Sequence, residues 1–304
     1  MANQIVVPED VVFDYLLDEL RTLSWSCADI LMSYARGETP PFGFPQALNI
    51  EEGGDGPVSA ADMAVNEFLI NGIKEKFPKI DWGIVSEETA KGKMYESRQI
   101  KKDWQWILDP LDGTKDFLQG SENYAVHLAL VYKNEPRLGI VLIPERNELC
   151  IGIMGNGAWF ENRDGEKKSI SFSNRKEISE LILVSSKNHQ QLILQKLLQK
   201  MNFGDTKKIG SVGCKVASIL RGDADVYISM SGRTSPKDWD MAAPQAIIEA
   251  AGGAFTHADG KCLEYLRPGY SQTGCLIASH GKSHQKICKN VIRFLSEVDK
   301  ELVV

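Results

Sequence analysis

The most informative segment of the chain reads Trp106-Ile-Leu-Asp109-Pro110-Leu111-Asp112-Gly113-Thr114. Its apolar residues predict a strand that ends at Asp109, where Pro110 turns the chain before a short helix over residues 115–118. Asp109 and Asp112 would then converge at the carboxyl end of the strand, where α/β folds place ligands. The backbone N–H groups of Gly113 and Thr114, at a helix start, suit a phosphate oxygen. Taken alone, the same pattern also describes a solvated turn.

Two further acidic positions are candidates for the same site. Glu87 and Glu88 follow a short apolar strand, and Asp240 lies near the N-terminus of a predicted helix that Gly252 and Gly253 end. Each position also has a plainer interpretation. The glutamate pair can be a solvated helix start, and Asp240 can be a cap that complements the helix dipole.

Hydrophobic periodicity divides the chain into two predicted α/β halves, residues 1–175 and 176–304. Helices are predicted over residues 11–34, from residue 59 onward, and over 190–201, 214–221, 241–251 and 283–298. Strands are predicted over residues 104–108, 125–132, 137–143, 149–154, 181–185, 224–229 and 275–279. The Gly- and Pro-containing residues 37–56 are predicted to form a surface loop.

The bulk composition restricts the class of partner. With 304 residues, 43% hydrophobic and 25% charged, and a formal net charge of −6, we expect a globular protein that does not bind nucleic-acid polymers. A small anionic substrate then needs a local positive charge, which a metal ion can supply. The six cysteines form no C-x-x-C pair and are expected to be reduced thiols. Without a signal peptide or an apolar run of about 20 residues, we expect a cytoplasmic protein outside the membrane.

Four segments, in this order and spacing, resemble the inositol monophosphatase superfamily. They are Pro57-Val-Ser-Ala-Ala-Asp62, Glu87-Glu88, Asp109-Pro-Leu-Asp-Gly-Thr114 and Trp239-Asp-Met-Ala-Ala243. The superfamily includes inositol monophosphatases, 3'(2'),5'-bisphosphate nucleotidases and related sugar-phosphate phosphatases. The resemblance implies an α/β (α+β) fold, a layered α-β-α-β-α sandwich of the inositol monophosphatase and fructose-1,6-bisphosphatase type. It also implies a metal-dependent phosphoric monoester hydrolase.

The resemblance further implies a set of metal ligands. Two or three Mg²⁺ ions would be held by the backbone carbonyl of Leu111 and by four carboxylates, those of Glu87, Asp109, Asp112 and Asp240. Such oxygen ligands suit a hard cation. Carboxylates this close also repel one another strongly unless cations neutralise them.

In the family pattern, Thr114 and an acidic residue orient the attacking water, and both Glu87 and Asp62 are candidates for that acid. Asp62 also fits a capping box with Ser59, and the two roles can coexist. The substrate phosphate is expected to lie against Asp112, Gly113, Thr114 and Asp240.

The choice of substrate depends on residues of the C-terminal half. Lys215 stands where bisphosphate nucleotidases have a lysine that could pair with a second phosphate, although it could also be a solvated helix lysine. His189 and Ser211 resemble residues on the nucleotide side of these enzymes, but Ser211 is one residue further from Lys215 than is usual. Ser229 stands where inositol enzymes have a glutamate, and Arg233 comes later than the arginine of the nucleotidases.

These features favour hydrolysis of the 3'-phosphate of 3'-phosphoadenosine 5'-phosphate to AMP and phosphate. In the family, such enzymes remove a by-product of sulfate assimilation and are usually inhibited by Li⁺. The alternative is an inositol monophosphatase or sugar-phosphate phosphatase with the same machinery, and the third hypothesis is a non-catalytic nucleotide- or metal-binding regulator. The expected partner is a small phosphate ester, and the chain is expected to be a monomer or a homodimer.

Overall fold

The computed structural model describes residues 7–53, 56–91, 102–187, 192–231 and 235–302. Its helices are α1 (Phe13–Arg36), α2 (Ala60–Lys76), α3 (Glu87–Lys91), α4 (Thr114–Leu118), α5 (Leu192–Met201), α6 (Val212–Leu220), α7 (Asp238–Ala250) and α8 (His284–Leu302). Its strands are β1 (Ile50–Gly53), β2 (Gly56–Ser59), β3 (Gly83–Ser86), β4 (Trp104–Asp112), β5 (Ala125–Tyr132), β6 (Glu135–Ile143), β7 (Glu148–Ile153), β8 (Gly157–Glu161), β9 (Lys167–Ser169), β10 (Ile182–Ser186), β11 (Asp205–Ile209), β12 (Val226–Met230), β13 (Ala254–His257) and β14 (Cys275–Ser279).

The strands form two large sheets and a hairpin. The first sheet has the order β3-β4-β5-β6-β7-β8-β9; β3 and β4 are parallel, and the later neighbours are antiparallel. The second sheet has the order β11-β10-β12-β14-β13. Strands β11, β10 and β12 are parallel to one another, and β14 pairs antiparallel with both of its neighbours, β12 and β13. Strands β1 and β2 pair as an antiparallel hairpin that leads into α2.

Apolar side chains fill the space between the layers. Helix α1 turns Leu16, Leu20 and Leu23 inward at helical spacing, and together with α2 it covers one face of the first sheet. Helices α6 and α7 occupy the space between the two sheets, where one core joins their side chains to residues of both. Helices α5 and α8 cover the outer face of the second sheet. The order of layers is α-β-α-β-α, which confirms the predicted sandwich.

Helix α7 lies unusually close to the first sheet, and this close approach positions the site. A Cβ atom on Gly139 would lie 2.4 Å from the carbonyl oxygen of Ala243, and one on Gly152 would lie 2.4 Å from the Cα atom of Ile247. The two glycines on β6 and β7 therefore let the helix backbone rest directly on the strands. The N-terminus of α7 is thereby placed near the end of β4.

Several predicted boundaries were wrong. Strand β4 does not end at Asp109 but continues to Asp112, with an irregularity in its pairing with β5 between these two residues. The reason is that Pro110 has no N–H for the ladder, so the pairing is interrupted there and resumes at Asp112. Helix α7 begins at Asp238, three residues earlier than predicted, and the predicted loop over residues 37–56 ends in the β1–β2 hairpin.

The short strands β8, β9, β11 and β13 were not predicted as strands. The first sheet ends at Ser169 and the second begins at Ile182, while α6 and α7 pack against both. The division into residues 1–175 and 176–304 stays a prediction. None of the helices in the described ranges combines the length and the apolar content that a bilayer span requires.

Candidate active site

Three carboxylates from two distant parts of the chain meet at the end of β4. Asp109 and Asp112 come from β4, and Asp240 is the third residue of α7. One oxygen atom of each lies within 4.8 Å of the others. Asp109 and Asp112 are buried, while Asp240 is partly exposed to the cavity that all three line. The structure therefore brings together three of the four carboxylates that the sequence assigned to metal binding.

This cluster is electrostatically strained without a cation. Burial, followed by the charges of Glu87 and Asp112, raises the pKa of Asp109 well above its ordinary value. Burial and the charges of Asp112 and Glu87 raise the pKa of Asp240 to about 7. Burial would also raise the pKa of Asp112, but His127, Lys215 and a hydrogen bond from Ser211 outweigh it, so the pKa of Asp112 is lowered. A bound cation would relieve the repulsion.

The hydrogen bonds of the cluster leave oxygen atoms available for such a cation. Asp109 Oδ1 accepts the Leu111 N–H at 3.1 Å, while its Oδ2 is buried and accepts no hydrogen bond from the described part of the chain. Asp240 Oδ2 accepts the Lys237 N–H at 2.6 Å. A buried carboxylate oxygen without a donor is costly unless a cation meets it, and an all-oxygen set is the kind that Mg²⁺ prefers. The residues present therefore fit a hard divalent cation.

Glu87 lies beside Asp109, whose pKa it raises through its charge and a side-chain hydrogen bond, although it is not one of the three carboxylates grouped above. It is the first residue of α3 and lines the same cavity, but its Oε1 atom pairs with Lys91 Nζ at 2.8 Å. Lys91 also contacts Glu88 at 3.2 Å, and burial followed by the charge of Glu87 raises the pKa of Glu88 to about 7. Sequence reasoning gave no role to Lys91, although its spacing of four residues from Glu87 on a helix was a visible signal.

Asp62 caps α2 and also contacts the Thr114 hydroxyl, while its role in orienting water stays a prediction. Its Oδ2 atom accepts hydrogen bonds from the Ser59 backbone N–H at 2.8 Å and the Ser59 hydroxyl at 2.6 Å, which caps α2. Its Oδ1 atom lies 3.0 Å from the Thr114 hydroxyl, which also lies 3.1 Å from the Leu111 carbonyl oxygen. Burial raises the pKa of Asp62, opposed by the hydrogen bonds from Ser59. A structural cap and a contact to the site thus share one carboxylate.

Gly113 forms the turn between β4 and α4. Its φ of 95° is in the left-handed region, and a Cβ atom there would lie 3.0 Å from the Asn123 carbonyl oxygen. A residue with a side chain would be strained at this position. Gly113 and Thr114 both line the cavity beside the carboxylates, and the phosphate position beside them stays a prediction.

Lys215 is not a solvated helix lysine, because its side chain is only 1% exposed. Its ammonium donates to the Gly210 carbonyl oxygen at 2.5 Å and lies 5.1 Å from the centre of the Tyr227 ring, in the wall of the carboxylate cavity. Burial lowers the pKa of Lys215, and the nearby charge of Asp112 opposes that effect. A buried cation is therefore built into the site.

Ser211 caps α6 and hydrogen-bonds directly to a carboxylate of the cluster. Its hydroxyl donates to Asp112 Oδ2 at 2.6 Å and accepts the Cys214 N–H at 3.1 Å. Ser211 thus contacts a carboxylate of the cluster, and its predicted contact with the substrate stays a prediction. Ser229 lines the cavity, whereas His189 and Arg233 lie outside the described residues.

Sequence reasoning also missed His127. This side chain on β5 is fully buried, with Nε2 3.1 Å from Asp112 Oδ2 and Nδ1 3.2 Å from the Trp239 carbonyl oxygen. A histidine within the otherwise apolar run of β5 was the available signal, because a buried polar group needs partners.

Comparison with known proteins agrees with this architecture. The inositol monophosphatase family model matches residues 16–294. The 3'(2'),5'-bisphosphate nucleotidase CysQ of Escherichia coli strain K12 is 30% identical over 264 residues, which are 84% of this chain and 98% of that protein. The Nus factor SuhB of Xylella fastidiosa is 31% identical over 64% of this chain and 66% of its own length.

The fold is also similar to that of solved inositol monophosphatase structures. The Thermotoga maritima IMPase superposes with a TM-score of 0.72 at 26% identity, covering 93% of this chain and 99% of the other. The family match includes every carboxylate of the cluster and the helix that carries Lys215. The chain therefore belongs to the inositol monophosphatase family.

Proposed function

We propose that the protein is a Mg²⁺-dependent phosphomonoesterase that hydrolyses the 3'-phosphate of 3'-phosphoadenosine 5'-phosphate, giving AMP and phosphate. The observation that carries this choice of substrate is the buried ammonium of Lys215 in the wall of the carboxylate cavity. A monoester with one phosphate needs no such second cation. The similarity to a bisphosphate nucleotidase over 84% of the chain supports the same choice.

Four carboxylates would hold the Mg²⁺ together with the backbone carbonyl of Leu111, namely those of Glu87, Asp109, Asp112 and Asp240. Bound Mg²⁺ supplies charge that polarises the phosphate and lowers the pKa of a water molecule. The protein contributes fixed geometry, because β4 and the first turn of α7 hold the carboxylates before substrate arrives.

Thr114 and Asp62 would orient the attacking water. The Thr114 hydroxyl has one hydrogen, and when it donates this hydrogen to Asp62 Oδ1 at 3.0 Å, its oxygen can accept a hydrogen from water. The Leu111 carbonyl, at 3.1 Å from the same hydroxyl, is then left free for a cation. Asp62 would thereby accept a proton through Thr114 as the water attacks phosphorus and the bond from phosphorus to the ribose 3'-oxygen breaks. The released 3'-oxygen would take up a proton from water to become the hydroxyl of AMP.

Lys215 would recognise the second phosphate. An ammonium that is already desolvated and held by the Gly210 carbonyl pays little further cost when an anion enters the cavity. A hydrogen bond of this charged kind contributes about 1.5–3 kcal/mol, which corresponds to roughly 10–150-fold in kcat/KM.

The test compares substrates that differ in the second phosphate. With Mg²⁺ present, phosphate release is measured from adenosine 3',5'-bisphosphate, adenosine 3'-monophosphate and inositol 1-phosphate. We expect the bisphosphate to have the highest kcat/KM. In Lys215→Met, kcat/KM for the bisphosphate should fall by about 10–150-fold while that for the monophosphate changes little.

Lys207→Met is the matched control. Its ammonium also donates to a backbone carbonyl, that of Asp223 at 2.7 Å, but it lies on β11 on the protein surface. Lys207→Met should leave the ratio of kcat/KM for the bisphosphate to kcat/KM for the monophosphate unchanged. A wild-type preference for inositol 1-phosphate would refute the nucleotide proposal and support the inositol alternative. If no ester is hydrolysed with Mg²⁺ or Mn²⁺, the result favours the third hypothesis, a non-catalytic nucleotide- or metal-binding regulator.

The proposal includes two or three Mg²⁺ ions, a cytoplasmic location and a monomer or homodimer. Calorimetric titration with Mg²⁺ measures the first of these, and analytical ultracentrifugation measures the assembly. Fractionation of the source cells measures the location.

A further inference from the structure

His127 connects two segments that carry carboxylates of the cluster. The imidazole stands on β5, with Asp112 on one side and the backbone of α7 on the other. Its Nδ1 atom lies 3.2 Å from the carbonyl oxygen of Trp239, the residue immediately before Asp240. Its Nε2 atom lies 3.1 Å from Asp112 Oδ2, although it is not aligned for a hydrogen bond with it. One rigid ring therefore spans the gap between both sources of carboxylates.

The ring completes an enclosure around one oxygen atom of Asp112. Asp112 Oδ2 accepts the Ser211 hydroxyl at 2.6 Å and the Gly213 N–H at 3.0 Å, and His127 Nε2 approaches it from β5. With Oδ2 surrounded in this way, Oδ1 is the atom through which Asp112 can bind a cation. The carboxylate is thus held in one orientation before any ion binds.

Local sequence provides the space for this ring. A Cβ atom on Gly213 would lie 2.3 Å from His127 Nε2, so the glycine at the start of α6 allows the imidazole to reach Asp112. On its other side the ring meets the first turn of α7, where Trp239 is buried and contacts the Tyr270 ring at 5.8 Å between centroids. The ring is therefore confined by β5, α6 and α7 together.

We infer that His127 is a positioning residue that sets the affinity of the carboxylate cluster for its divalent cation. It does so by fixing the orientation of Asp112 and the distance between Asp112 and the first turn of α7. This inference rests on the proposed metal-dependent function. His127 is fully buried and is not among the residues that line the carboxylate cavity, so we expect its effect to act through Asp112 and Asp240.

The experiment measures metal affinity directly, without substrate. Mg²⁺ and Mn²⁺ are titrated into the metal-free full-length protein by isothermal calorimetry, for the wild type and for His127→Asn and His127→Gln. Each amide can replace one of the two ring contacts but not both, because neither side chain spans the distance of the imidazole. We expect both variants to bind the cations about 10–100-fold more weakly, as is typical when a residue that supports a metal ligand is lost.

His280→Asn provides the control for burial. His280 is also a buried histidine, its Nε2 atom lies 3.7 Å from the carboxylate of Asp225, and it is far from the cluster, at the end of β14. It should lower the thermal unfolding temperature by an amount similar to the His127 variants but leave the metal affinity unchanged. If His127 only stabilised the fold, the His127 variants and His280→Asn would have the same metal affinity.

The outcomes separate the two proposals. If the wild type binds neither cation, the proposed function fails, and this inference fails with it. If the wild type binds but the His127 variants bind as tightly, the inference alone is overturned. Should one variant not fold, the other decides, and equal loss of affinity in His280→Asn would also overturn the inference.

Discussion

Replacing Asp240 by asparagine should stabilise the metal-free protein at pH 8 while it removes metal binding. In the folded protein the pKa of Asp240 rises from 3.8 to about 7, because burial and the charges of Asp112 and Glu87 disfavour its ionised form. Each unit of pKa corresponds to about 1.4 kcal/mol, so the ionised carboxylate costs the metal-free fold at most about 4 kcal/mol. Because Asp240 is partly exposed to the cavity, we expect Asp240→Asn to raise the free energy of unfolding of the metal-free protein by about 2–4 kcal/mol.

The effect of the Asp240 carboxylate on the free energy of unfolding depends on pH. Below pH 3.8 the Asp240 carboxyl is protonated in both states and costs nothing. As the pH rises toward 7, the unfolded chain ionises while the folded chain keeps its proton, so the wild type loses stability across this window. Asparagine does not titrate and can still accept the Lys237 N–H through its amide oxygen. The advantage of Asp240→Asn should therefore be largest at pH 8 and at most about 2 kcal/mol at pH 5.

Urea unfolding followed by tryptophan fluorescence, in buffers freed of divalent cations, measures this difference. A second series contains Mg²⁺ at about 100 times its dissociation constant, which should stabilise the wild type by about 2.7 kcal/mol and the variant much less. Asp238→Asn is the matched control in the same turn of α7. Asp238 accepts the Leu266 N–H and a Gln272 amide hydrogen, so its variant should keep the Mg²⁺ effect. The reasoning is refuted if metal-free Asp240→Asn is less stable than the wild type at pH 8.

Three further predictions concern the machinery and the fold. Thr114→Val should lower kcat about 10²–10⁴-fold in steady-state kinetics while calorimetric Mg²⁺ affinity stays the same, and an unchanged kcat would contradict the proposed orientation of water. Arg175→Met should lower the free energy of unfolding, measured with urea, by about 3 kcal/mol, because Asp225 is fully buried and pairs with Arg175 Nε at 2.6 Å. A decrease of less than about 1 kcal/mol would show that the protein does not need this ion pair for its stability. Gly152→Ala should push α7 away from the sheet at Ile247, so that both activity and about 1–3 kcal/mol of stability are lost, and full activity would contradict the positioning role of this contact.

Much of the fold was predictable because its signals are local. The apolar runs of β5 and β14 and the spacing of leucines in α1 each depend on residues close together in sequence, and the structure has strands and a helix there. The end of β4 was predicted wrongly, since Pro110 interrupts a ladder that long-range pairing with β5 then restores at Asp112. The short strands β11 and β13 were missed, because β11 is polar and both depend on neighbours for pairing.

The residue types of the site could be recognised without the structure, because the acidic residues, the glycine turn and the threonine stand at the ends of helices and strands. The contacts between these residues could not, because they depend on how distant elements pack. The buried ammonium of Lys215 contacts the Gly210 carbonyl and the Tyr227 ring. The carboxylate of Glu87 forms an ion pair with Lys91. The contact of His127 with Trp239 joins residues 112 positions apart. Such contacts form only when β5, α6 and α7 pack together, and no local pattern encodes them.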